Sequence, residues 1–110
     1  MASIDANELL ADMLKAVKKS LENKWPQVRD LATSEFRKFA QNIEDIKKMK
    51  SKGTITLEQA KLQLEIQKNS IKTVLLTEEG LGLLAVEAAI NAAIDVIKES
   101  VNKIIGWGLL

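Results

Sequence analysis

The chain has no cysteine, no histidine and no tyrosine. Without cysteine there is no disulfide, no thiolate nucleophile and no thiolate metal site. Without histidine the commonest general base and the commonest transition-metal ligand are both missing. Carboxylates, lysine, arginine and hydroxyls are what remain for chemistry. Proline occurs once and glycine five times in 110 residues, while 46% of residues are apolar and 28% charged. That balance argues against disorder. Neither charge sign dominates: sixteen basic and fifteen acidic residues leave a formal charge of +1. No global field therefore points to nucleic acid or to an anionic membrane. The start, MASIDANELLADM, lacks a basic segment followed by an apolar run, so no secretory signal is expected and the cytoplasm is the expected location.

What is present is helical patterning over a length that suits one domain, residues 1–110. Asp5 is placed to cap a helix, Glu8 to complete a capping box, and Ile4 and Leu9 to form a hydrophobic staple. Leu10, Met13, Leu14, Val17 and Leu21 then recur at three- and four-residue steps, which predicts a first helix over about 5–23. Trp25-Pro26 interrupts it; proline suits a first turn, so a second helix is expected over about 26–52, with one long kinked helix as the alternative. Its stripe is Val28, Leu31, Ala32, Phe36, Phe39, Ile43, Ile46 and Met49. Its end is marked by Lys47, Lys48, Lys50 and Lys52 and by Gly53 in a closing position.

Thr56 and Gln59 form a second capping-box pattern and open a third helix over about 57–78. Within it Lys61–Gln67 alternates with period two, a strand signal. The flanking stripe of Leu57, Ala60, Leu64, Ile71, Val74 and Leu75 favours helix. Gly80 breaks the pattern, and a fourth helix is expected over about 82–105, closed by Gly106. All connections are short. The expected fold is all-α: an antiparallel up-down-up-down four-helix bundle with short loops.

The fourth helix is the most apolar segment. From Leu81 to Ile97 only Gly82, Glu87, Asn91 and Asp95 are not apolar. On a helical wheel Leu83, Val86, Ile90, Ile94, Ile97, Val101 and Ile104 fall within about 80° of one another. Glu87, Asn91, Asp95, Lys98 and Asn102 form a narrow polar strip. Ala85, Ala88, Ala89, Ala92, Ala93 and Val96 make a third, broad sector of mostly small side chains. Glu87 and Asp95 inside the stretch argue against a membrane span, because a buried acid there costs a few kcal/mol. A helix apolar around most of its circumference must be covered on most of it, so the small-residue sector is expected to meet a second copy. Leu62 and Ile66, opposite the core stripe of the third helix, are expected to join that interface. The expected partner is thus the chain itself, as a homodimer or higher assembly, or another protein. Nucleic acid is not expected.

No constellation for catalysis is evident: no nucleophile beside a base, no glycine-rich phosphate loop, no metal motif. The di-metal carboxylate signature of helix bundles needs Glu-x-x-His, which a chain without histidine cannot supply. Glu35, Glu44, Glu58, Glu65 and Glu87 read as solvated, with Glu44 beside Asp45 on a wet face. No cofactor and no metal are expected, and the chain reads as non-enzymatic. Glu87, Asn91 and Asp95 either face water or form a buried network that sets packing register. The lysine run at 47–52 reads as a favourable helix end, and Trp25 and Trp107 as closing the two ends of the bundle. Two alternative functions stand beside the interaction reading: binding of an apolar small molecule or lipid in a cavity between helices 2 and 4, and peripheral membrane association through helix 4 and the Leu109-Leu110 tail.

Overall fold

Helix signals dominate the sequence, and the computed structural model, which describes residues 4–110, is all-α, with no strand among the described residues. The N-terminal reading extends over Met1–Ser3, which lie outside the described residues. Helix α1 spans Ala6–Leu21, α2 Trp25–Ser51, α3 Leu57–Leu75 and α4 Leu83–Ile105; a single 3₁₀ turn, Glu22–Lys24, separates α1 from α2.

Each boundary has a local cause. Asp5 caps α1, its side chain accepting from the Asn7 N–H at 2.8 Å. The reciprocal bond expected from Glu8 to the Asp5 N–H is not formed among the described residues, while the next donor, the Ala6 N–H, is met from another helix: Glu44 of α2 accepts it at 2.8 Å. Ile4 and Leu9 are both buried, as a staple requires. α1 ends where Glu22 takes φ 51°, ψ −117°, and Pro26 sits in the first turn of α2. α1 and α2 pack side by side, which one kinked helix could not do.

α2 closes on Gly53 at φ 70°, with the Thr54 N–H donating back to the Met49 carbonyl at 2.9 Å. This is the left-handed closing motif that glycine adopts without a Cβ penalty. At α3 the capping box is complete: the Gln59 N–H donates to Thr56 Oγ1 at 3.1 Å and the Thr56 N–H to Gln59 Oε1 at 2.9 Å. α3 stops at Leu75 rather than 78. The Thr77 hydroxyl and N–H both donate to the Val74 carbonyl, at 2.6 and 3.1 Å, and this tight turn draws the chain out of helical register.

Period-two alternation in α3 proves to be helical geometry. Leu64 points into the core while Leu62 and Ile66 face out. The core draws on every helix: Met13 and Val17 from α1, Phe36, Phe39, Ile43 and Ile46 from α2, Ile71 and Leu75 from α3, Val86, Ile97 and Val101 from α4, all almost fully buried. Each such side chain contributes about 1.5–3 kcal/mol relative to exposure. The main helix contacts are α1 with α4 and α2, α2 with α3, and, least extensive, α3 with α4. The molecule measures 43 × 24 × 19 Å; the long axis matches the 27-residue α2 at 1.5 Å per residue.

Candidate interaction surface

Of the described residues, the most exposed large aliphatic side chain is Leu84, in the first turn of α4, with 84% of its surface open. Four residues on, Ala88 is exposed; Ala85 is exposed, Ala92 half-buried and Val96 53% exposed. Steps of three and four place these five side chains on one outward face. Leu83, expected among the bulky core residues, is half-exposed at the same end.

The expected interface of α4 needs correction at two positions. Ala89 and Ala93 are fully buried in the chain's own core and are not surface. Glu87, Ile90, Asn91 and Ile94 border grooves shared with α3, which sets α3 on that side. Ala89 and Ala93 lie roughly 120° further round at 100° per residue, away from that groove, and α1 is the helix that α4 contacts most extensively. The buried sector of α4 is therefore wider than its bulky sector, because two neighbours flank it. Leu84, absent from the expected surface, was visible on the same wheel beside Ala88. Leu62 and Ile66 stand 60% and 61% exposed on the outer side of α3.

Glu87, Asn91 and Asp95 do not form a network: among the described residues no hydrogen bond joins them. Glu87 is half-buried at the groove with α3, Asn91 is exposed at its edge, and Asp95 is exposed. Asn102, in the same sector, has a specific partner. Its side-chain oxygen Oδ1 accepts the N–H groups of Leu109 (3.0 Å) and Leu110 (2.9 Å), and its side-chain amide donates to the Leu110 carbonyl at 3.2 Å. The tail thus folds back, with Leu109 buried and Leu110 half-buried. Among the described residues no helix is long and apolar enough to cross one.

Two charged side chains depart from the solvated reading. Glu35 is buried, accepting from Lys38 Nζ at 3.0 Å and from the Ser70 hydroxyl of α3 at 3.3 Å. Glu44 is half-buried, and its bond to Ala6, aided by Lys48, holds its carboxyl below the ordinary value despite some desolvation. Local sequence shows their lysine neighbours, Lys38 and Lys48, but not Ser70 or Ala6, which are distant in the chain. No three acidic side chains converge among the described residues. Lys50 leaves its own helix end to donate to the Ile105 carbonyl of α4, and stacks 4.9 Å from the Trp107 ring centroid. Trp107 and Trp25 both pack, half-buried, on the core.

No family model matches the chain, and neither a curated protein nor a solved structure does.

Proposed function

We propose that the chain is an antiparallel up-down-up-down four-helix bundle that works in the cytoplasm through protein contacts, without catalysis, and that its first partner is a second copy of itself. Three cross-links support the bundle topology. Ala6 bonds Glu44, Gln27 bonds the Glu79 carbonyl, and Lys50 bonds the Ile105 carbonyl. The start of α1 thereby meets the later part of α2, the start of α2 meets the chain just past α3, and the ends of α2 and α4 lie together.

The observation that carries self-association is Leu84 standing in water on the same face as Ala85, Ala88, Ala92 and Val96. Large residues lie at the ends of this face and small ones in the middle, which suits a two-fold pairing. An axis between Ala88 and Ala92 would set Leu84 of one copy over Val96 of the other and Ala88 over Ala92, each contact made twice. The alanines let the two helices approach closely. Leu62 and Ile66 form a second surface, left free by a dimer built on α4 and available to a larger assembly or to another protein.

Light scattering after size exclusion, over a tenfold concentration range, tests this directly. The expected mass is that of a dimer or higher assembly, and Ala88→Glu returns it to the monomer with far-ultraviolet dichroism unchanged. Ile66→Glu lowers the mass only if the assembly exceeds a dimer. A monomeric mass for the wild type throughout the range overturns the reading.

A further inference from the structure

α3 and α4 make the least extensive of the main helix contacts, and a groove runs between them in two sections that share Glu65 and Lys68. From Lys61 to Lys72 it follows α3 for roughly 16 Å at 1.5 Å per residue. The two sections differ in chemistry. The one nearer the α3–α4 turn, about 230 Å³, is bordered by Lys68, Asn69 and Lys72 of α3 and by Glu87 and Asn91 of α4. The other, about 210 Å³, is lined by Phe39, Leu64, Ile94 and the tail leucines 109 and 110, with Lys61 among its lining residues. Phe39 and Leu64 are almost fully buried, so the apolar floor is already in place.

Lys61, Lys68 and Lys72 fall at i, i+7 and i+11, in line along the helix. None of them forms an ion pair with Glu65 or Glu87 among the described residues, and Lys68 and Lys72 are half-buried. Over its whole length the groove thus has one more lysine than acid, with its amides at one end and most of its apolar lining at the other. We propose that it binds a single-chain anionic amphiphile, a medium-chain carboxylate. The head pairs with Lys68 and Lys72 and accepts from the Asn69 and Asn91 amides, while the chain lies over Leu64 and Ile94 toward Phe39.

The sign of the head follows from the lining. Over the whole groove three lysines, Lys61, Lys68 and Lys72, and two amides, Asn69 and Asn91, face two acids, Glu65 and Glu87. Lys68 and Lys72, at i and i+4, repel each other, and an anion between them relieves that repulsion. The size follows from the volume: the two sections together sit at the lower end of the roughly 300–1,000 Å³ typical of small-molecule sites, which suits one chain and not a two-chain lipid. These residues are separate from the outward face of α4, so the proposal stands apart from self-association.

The test is a ¹H–¹⁵N NMR titration with sodium decanoate below its micelle concentration, with decanol, decyltrimethylammonium and anionic two-chain vesicles in parallel. Decanoate is expected to shift amides of 61–72 and 87–94 saturably, and about tenfold more tightly than decanol. Lys68→Glu with Lys72→Glu, both at the surface, is expected to remove that advantage, and Ile94→Trp to block the chain. Leu84→Ser with Val96→Ser, which removes the self-association face, leaves decanoate binding unchanged. No saturable decanoate response, an equal response to decyltrimethylammonium, binding to vesicles alone, or decanoate binding lost in the Leu84/Val96 variant each overturns the proposal.

Discussion

The Glu44 carboxylate, in the second half of α2, accepts the backbone N–H of Ala6 at 2.8 Å. One of the orphan donors at the start of α1 is thereby met by a charge on a neighbouring helix, where the helix dipole also favours an anion. The bond to Ala6 is the main reason that the Glu44 pKa lies below its ordinary value of 4.5, Lys48 adding to it.

A depressed carboxyl pKa makes stability depend on acid in a definite direction. The contribution of Glu44 is complete above its unfolded value and is lost as the pH falls through the lower folded value. Glu44→Gln is therefore expected to lower stability at neutral pH and to flatten the fall in stability as the pH drops below the ordinary value of 4.5. Urea unfolding at a series of pH values reads both effects; parallel pH profiles for variant and wild type would remove this role.

One side chain makes all the hydrogen bonds that tie Leu109 and Leu110 to α4 among the described residues. Asn102→Ala deletes three hydrogen bonds to Leu109 and Leu110 and is expected to cost about 1–3 kcal/mol. Trp107 should move with the tail, so its emission is expected to shift to the red. An unshifted emission would show that Lys50, through its stacking on the ring, holds the tail alone.

Glu22 carries the positive φ of a residue that ends α1, with ψ far from the left-handed helical well. A Cβ is unfavourable there. Glu22→Gly is expected to raise stability by about 0.5–1 kcal/mol, with a melting temperature a few degrees higher. A lower melting temperature would mean that the Glu22 side chain contributes more than its backbone costs.

Ala93 and Ala88 lie on one helix in opposite environments, the first fully buried and the second exposed. Ala93→Leu forces three extra carbons into a packed core and is expected to cost about 1–3 kcal/mol. Ala88→Leu is expected to change monomer stability by less than about 0.5 kcal/mol. Thermal unfolding of both variants at low protein concentration separates these outcomes; equal losses would contradict the placement of the two alanines.

Local patterns determined much of this molecule. The Thr56–Gln59 capping box, the closing glycines at 53 and 106 and the three- and four-residue apolar spacing within each helix, as in Leu10, Met13, Val17 and Leu21, are properties of segments a few turns long, so all-α structure was legible in the sequence by itself. The tertiary structure alone decided where Glu44, Lys50 and Asn102 spend their polar groups, because their partners in other helices and in the tail are set by packing. It also decided which alanines of α4 are core. A helical wheel ranks side chains by angle, but the width of the buried sector depends on how many neighbours press against the helix. Packing inside the molecule took Ala89 and Ala93 into the core and left Leu84, Ala85, Ala88 and Val96 exposed, with Ala92 half-buried at the edge of the same face.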